Sequence, residues 1–162
     1  MTTDEVVAKI ESSWKDLDAL AHSLDAEGLS LHRSPDGWAV KDHLVHIAAW
    51  EHWLLALFEG RDKLAAMGAA SAGKEIDDVN DVVYANHRDD SVEDALGYYR
   101  GAHAQLMEVL RRQSADAFER PYKTFFDSGE ETDEQPVLVA VAANTYDHYA
   151  EHVGWIKEQI EG

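Results

Sequence analysis

The chain contains no cysteine, and this absence removes several kinds of chemistry. Disulfides, thiolate metal sites and a cysteine nucleophile are all excluded. Long apolar runs are missing too, since residues 53–58 fall far short of the roughly 20 residues that cross a membrane. The first residues, 1–7, have neither the basic region nor the apolar stretch of a signal peptide. We therefore expect a soluble cytoplasmic protein with no membrane partner.

Basic residues are scarce. Fourteen Lys and Arg oppose 32 Asp and Glu, which gives a formal net charge of −18. Proteins that bind nucleic acid neutralise its phosphates with clustered Lys and Arg, whereas this chain has only the adjacent pair Arg111-Arg112. A nucleic-acid partner is therefore not expected. The negative field favours solubility and concentrates cations around the protein.

Alternating strand patterns and internal repeats are absent as well, and helical spacing runs through most of the chain. Thr2 followed by Glu5 has the spacing of a capping box that opens a first helix, whose apolar stripe extends to residues 23–24. Residues 34–37 (Ser-Pro-Asp-Gly) predict a turn. A second helix is expected from near Val40 to Gly60, with an extension through residues 64–67.

The second half of the chain continues this pattern. Residues 75–87 predict a shorter helix, and Ser91 with Asp94 caps a third long helix whose stripe ends at Leu110. A polar crossover over residues 114–135 leads to a last helix over residues 136–160. Four long amphipathic helices predict one all-α domain over residues 1–162. We expect a four-helix bundle with a long crossover between the third and fourth long helices.

Two histidines, His148 and His152, stand one turn apart on the last predicted helix. Residues at i and i+4 share a helix face, so both imidazoles can reach one metal ion. The same face carries apolar residues, including Val141 and Ile156, and should be buried. Buried polar groups are costly without a partner. The pair therefore predicts a metal site or a hydrogen-bonded core cluster.

The second helix offers further ligands. Glu51 lies in the middle of its apolar stripe, where a carboxylate needs a cationic, hydrogen-bonding or metal partner. His43 and His46 lie on one flank of that stripe. A helical wheel ranks Glu51 and His43 as more central than His46.

Two segments resemble a known family. Residues 37–47 (Gly-Trp-Ala-Val-Lys-Asp-His-Leu-Val-His-Ile), followed by Trp50-Glu51, resemble the second-helix signature of the DinB-like (YfiT-like) four-helix bundles. Residues 144–156 (Asn-Thr-Tyr-Asp-His-Tyr-Ala-Glu-His-Val-Gly-Trp-Ile) resemble the last-helix signature of its ClbS/DfsB-type branch, and residues 76–80 fit that branch too. The sequence departs at Ala39, where the family more often has a Ser or Thr cap.

The resemblance implies a function and a ligand set. In the family, one histidine of the second helix and an i,i+4 pair of the last helix hold a divalent metal, which here implies His46, His148 and His152. Zn or Ni are the first expectation, and Mn or Fe are alternatives. The implied reaction is thiol S-transfer or hydrolysis of a small electrophile, in detoxification or stress, with a low-molecular-weight thiol as a further cofactor. The resemblance is also consistent with a homodimer.

Other residues receive supporting roles. Glu51 is the candidate general base or partner of a ligand, and Asn144 is a candidate orienting group one turn before His148. Four aromatic residues are candidate walls of a small-molecule pocket, although the first expectation for each taken alone is plain core: Trp50, Trp53, Tyr149 and Trp155.

Several alternatives stay open. His103, on the buried stripe of the third helix, is a fourth ligand, a proton shuttle or a hydrogen-bonded core histidine. Asp147 and His43 are candidates for contacts with the ligands. A non-catalytic protein that sequesters a metal or a small molecule is the alternative function. A bundle without a metal is the third reading. Residues 148–152 also spell H-x-x-E-H, but only ten residues follow, too few for that class of zinc protease.

Overall fold

The computed structural model describes residues 1–31, 34–35, 37–73 and 75–162. Within these ranges the regular structure is helical, and the prediction of an all-α fold is confirmed. The α-helices are α1 (Thr3–His22), α2 (Ala26–Ser30), α3 (Val40–Glu59), α4 (Lys63–Ala66), α5 (Ile76–His87), α6 (Val92–Arg111), α7 (Leu138–Asn144) and α8 (Tyr146–Glu161).

Four rods form the bundle: α1, α3, α6, and α7 together with α8. α3 packs against α6, and it also contacts α5, α7 and α8, while α1 packs against α8 and α6. As a result α3 is buried nearly all round, from Val40 to Leu57. A helix surrounded in this way buries polar residues on every face, so its sequence pattern marks no single inward stripe.

The helix ends follow the predicted capping signals. Thr2 Oγ1 accepts from the Glu5 N–H at 3.2 Å, and Glu5 Oε2 accepts from the Thr2 N–H at 2.8 Å, which completes the capping box. At the start of α3, Asp42 Oδ2 accepts from the N–H of Ala39 at 2.8 Å. The methyl group of Ala39 cannot accept a hydrogen bond from the backbone N–H of Asp42, so only one of the two hydrogen bonds of a capping box is present. α3 ends at Gly60, whose φ of 68° suits glycine.

The last predicted helix is not continuous. The helix is interrupted at Thr145, whose φ of −127° and ψ of −107° are not helical. Its hydroxyl donates to the carbonyl of Val141 at 2.6 Å, and its own carbonyl accepts from the Tyr149 N–H at 2.8 Å. A threonine side chain that binds the preceding turn competes with the regular helix ladder. After this interruption α8 begins at Tyr146, two residues before His148.

The remaining differences concern short segments. α2 was not predicted, and residues 63–66 form a separate helix after Gly60 rather than an extension of α3. The crossover contains three 3-10 turns: Ala117–Glu119, Tyr122–Thr124 and Glu131–Glu134. In the predicted turn at residues 34–37, the Gly37 N–H donates to the Ser34 carbonyl at 3.0 Å, while Asp36 lies outside the described residues. In the described chain, no helix combines the length and apolarity that a bilayer crossing requires.

Candidate metal site and its cavity

The structure brings together the three histidines named by the sequence. His46 comes from α3, and His148 and His152 come from successive turns of α8. One ligand nitrogen from each lies within 4.8 Å of the other two. The ring centroids are 5.1 Å apart for His46 and His148, 4.9 Å for His46 and His152, and 4.6 Å for the α8 pair. Within the α8 pair, the two Nε2 atoms are 3.1 Å apart.

The electrostatics of this group suit a cation. Burial, reinforced by His148 and His43, lowers the pKa of His46 to about 3, and burial lowers the pKa of His148 to about 4. Burial and the neighbouring rings lower the pKa of His152 as well. All three rings are therefore neutral at pH 7, the form in which imidazole binds a metal.

Two ring nitrogens of the histidine group lack hydrogen-bond partners. His46 Nδ1 and His148 Nδ1 are buried and have no hydrogen-bond partner. A buried polar atom without a partner costs about 1–3 kcal/mol. A divalent ion that takes up one lone pair from each ring would offset the burial of three rings. The residues therefore fit a metal ion.

A chain of hydrogen bonds determines which nitrogen of His152 carries its proton. Gln159 Nε2 donates to the carbonyl of Trp38 at 2.8 Å, so its Oε1 faces His43 Nε2, at 3.0 Å, as an acceptor. A neutral His43 then has its lone pair on Nδ1, which lies 2.9 Å from His152 Nδ1. His152 must donate there from its own Nδ1–H.

This arrangement leaves the lone pair of His152 on Nε2, the nitrogen that faces His148. Such outer partners set the tautomer and ring orientation of metal-binding histidines. The prediction for His43, a contact with a ligand, agrees with this geometry. Gln159 was missed, although it stands seven residues, about two turns, after His152 and so on the same face of α8.

The histidines lie in the wall of an open cavity of about 1730 Å³. Three of the four aromatic residues predicted as walls line it, whereas Tyr149 is fully buried in the core. The aromatic lining consists of Trp38, Trp50, Trp53, Tyr84, Tyr122 and Trp155. The carboxylates of the lining are Asp77, Asp81, Asp133, Glu151 and Glu158.

Asn144 also lines the cavity, at the end of α7. Its side-chain amide donates to the carbonyl of Ala140 at 2.8 Å, which anchors it to the last turn of that helix. The residue is half-buried, so it is within reach of a molecule in the cavity. This position is compatible with the orienting role expected of Asn144, which stays a prediction.

Glu51 is placed elsewhere. It is fully buried, and the described residues that line the cavity do not include it. Glu51 Oε2 accepts from the Tyr149 hydroxyl at 2.9 Å and lies 3.1 Å from His103 Nδ1. Oε1 has no partner, and burial raises the pKa of this carboxyl. The structure thus supplies the hydrogen-bonding partners that the sequence required of Glu51, but it does not bring Glu51 to the three histidines.

His103 belongs to the Glu51 cluster. Its ring stacks on Trp14, with centroids 4.1 Å apart and planes 8° apart, and its Nε2 lies 3.5 Å from Glu11 Oε1. Of the three roles open to His103, the hydrogen-bonded core histidine fits this geometry. Asp147 is exposed on α8 and is not among the described cavity residues.

Comparison with known proteins agrees with the fold. The model of the DinB superfamily matches residues 9–156 of this chain. A crystal structure of a protein from Streptococcus pneumoniae aligns with a TM-score of 0.79 and 11% identity, over 98% of this chain and 90% of that one. An uncharacterised protein from Escherichia coli UTI89 aligns with a TM-score of 0.68 and 15% identity, over 99% and 93%. Identities this low show the fold alone. No curated protein matches the chain.

Proposed function

This chain belongs to the DinB superfamily, and from that membership together with its histidine group we propose a divalent-metal-dependent enzyme that acts on a small molecule. The observation that carries the proposal is the convergence of three neutral imidazoles in the wall of a large cavity. Three protein ligands leave at least one coordination position open, as in catalytic rather than structural metal sites. The ClbS/DfsB-type branch, suggested by residues 144–156, is part of the proposal.

In the proposed site, His46, His148 and His152 hold the ion. A bound divalent ion of this kind polarises an oxygen, or lowers the pKa of a bound water or thiol. Zn or Ni is the ion proposed first, with Mn or Fe as alternatives, and imidazole ligands are common to Zn, Ni and Fe sites. The aromatic walls bind the apolar part of the substrate, and His43 with Gln159 orients His152.

The proposed reaction is transfer of a low-molecular-weight thiol to a small electrophile, or hydrolysis of that electrophile. In the transfer, the thiol sulfur forms a bond to the electrophilic carbon, the leaving group departs with its bonding electrons, and the thiol proton is released. Glu51 holds Tyr149 in place through its hydrogen bond rather than touching substrate. Because Tyr149 stands between His148 and His152 on α8, this bond sets the rotation of the helix that carries both.

Metal analysis of protein purified without a histidine tag tests the proposal. We expect about one divalent ion per chain in the wild type and none in His148→Ala/His152→Ala. His22→Ala is the matched control, because His22 is exposed on α1 and lies outside the histidine group. Absence of any bound metal after exposure to Zn or Ni would refute the site.

Turnover separates the enzyme from a sequestering protein. The size of the cavity and its aromatic lining support the second candidate, a protein that binds a small molecule without converting it. Metal-loaded wild type should consume an electrophile in the presence of a thiol, or water alone, and His46→Ala should not. Stoichiometric metal and tight binding without any turnover would favour the sequestering function.

A further inference from the structure

The cavity has a pronounced charge asymmetry. Asp77 and Asp81 stand one turn apart on α5, and Glu151 and Glu158 stand two turns apart on α8, so each pair shares a helix face. Within the described chain, no basic nitrogen lies within 4.0 Å of any of these four carboxylates. Their negative charge is therefore available to a molecule in the cavity.

Aromatic rings line the same cavity as these carboxylates. Trp38 stacks on Tyr84 with centroids 5.8 Å apart, and Trp50 donates from Nε1 to Asn80 Oδ1 at 2.9 Å, which holds its ring in place. Trp155 packs edge-on against His152 yet remains 46% exposed. Faces of Trp and Tyr attract cations, and their area binds flat apolar groups.

A buried histidine in the cavity wall indicates that a ligand binds there. His46 is only 8% exposed, and its Nδ1 has no partner. The lining residues that the structure describes include no Lys or Arg. The described lining therefore offers no ammonium or guanidinium group to anchor an anionic group.

We infer that the substrate carries a cationic amine or ammonium group on a flat apolar body, and that the four carboxylates and the aromatic walls select it. The inference rests on the proposed function and names the substrate class of the same site. The negative potential of the carboxylates on α5 and α8 holds the cationic end in the cavity, with the apolar body against the rings and the reactive end toward the histidines. Anionic molecules of the same shape are disfavoured by repulsion.

Binding of three matched probes tests the inference without requiring turnover. The probes are 4-phenylbutylamine, the neutral 4-phenylbutanol and the anionic 4-phenylbutyrate. Each is titrated into metal-free protein, so that the acid cannot bind a metal ion, at low and high salt by calorimetry and tryptophan fluorescence. We expect the amine to bind at least about tenfold more tightly than the acid at low salt, with a smaller ratio at high salt.

Two double variants locate the effect. Asp77→Asn/Asp81→Asn and Glu151→Gln/Glu158→Gln should each weaken amine binding by roughly three- to tenfold and leave binding of the alcohol unchanged. The matched control, Asp78→Asn/Glu161→Gln, removes one charge from each of the same helices outside the described cavity lining and should bind the amine as wild type does.

Two outcomes would overturn the inference: equal affinity for the amine and the acid in the wild type, or an equal loss in the control variant, which would reduce the preference to the overall charge of −18. Circular dichroism verifies that each variant is folded. Failure here is separable from failure of the proposed function. If the protein binds no metal but still prefers the amine, the inference about the substrate stands and the proposed enzyme is refuted. If it binds metal but shows no charge preference, the proposed enzyme stands and the inference is refuted.

Discussion

The hydrogen-bond chain from Trp38 to His152 yields a sharp prediction for Gln159→Leu. Gln159 is 5% exposed and is the link between the Trp38 carbonyl and His43. Leucine fills a similar volume but can neither donate to the carbonyl nor accept from His43 Nε2. His43 then loses the acceptor that keeps its lone pair on Nδ1, and His152 loses its fixed tautomer.

The magnitude follows from the two hydrogen bonds that the Gln159 side chain loses. Loss of an outer partner of a metal-binding histidine lowers metal affinity about 10- to 100-fold, equivalent to roughly 1.4–2.7 kcal/mol. Loss of the two hydrogen bonds of the Gln159 side chain also destabilises the fold, by about 1–3 kcal/mol in all, because the Trp38 carbonyl still accepts from the Ser34 hydroxyl at 3.1 Å. Gln159→Glu keeps the acceptor for His43 but offers no N–H to Trp38, so its loss of affinity should be smaller.

Competition titration with a zinc chelator measures the affinity, and urea unfolding measures the stability. Gln105→Leu is the control, because Gln105 is exposed on α6. Nitrogen NMR of the imidazoles reports the tautomer directly, and we expect a proton on His152 Nδ1 in the metal-free wild type. A folded Gln159→Leu protein with wild-type zinc affinity, or a wild-type His152 protonated on Nε2, would refute the reasoning.

Three further predictions concern the core and the caps. Because burial raises the pKa of Glu51, the folded protein keeps that proton to higher pH than the unfolded chain, and its unfolding free energy falls as pH rises through this interval. Urea unfolding should therefore show Glu51→Gln gaining stability relative to wild type as pH rises above about 4, the ordinary range of a glutamate, and a constant difference would contradict this sign. Tyr149→Phe removes the hydroxyl that donates to Glu51 and should lower the unfolding free energy by about 1–3 kcal/mol, whereas Tyr84→Phe, outside that cluster, should change it little. Ala39→Ser completes the half-made capping box of α3 and should raise the melting temperature by an amount equivalent to about 1 kcal/mol; an unchanged or lower value would mean that the buried position does not admit the hydroxyl.

Local signals in the sequence were sufficient for the first three long helices, α1, α3 and α6. Capping residues such as Thr2 and Ser91, and the stop at Gly60, act on neighbouring backbone groups, so they can be recognised without knowledge of the fold. The spacing of His148 and His152 is local in the same way. The break at Thr145 was not predicted, because threonine occurs both within helices and at their ends and only the geometry of its hydrogen bonds distinguishes the two.

Contacts between distant segments were decided by the tertiary structure alone. Periodicity reports how deeply a residue is buried, not which side chain meets it across the core, and α3 is buried on nearly every face. The wheel ranked His43 as more central than His46 but could not show what either residue meets. It is the position of α8 that makes His43 a partner of His152 and His46 a member of the histidine group. The pairing of Glu51 with His103 and Tyr149, 52 and 98 residues away in the chain, has the same origin. Sequence determined the four rods and their polar residues, while the packing of the rods determined which of those residues meet.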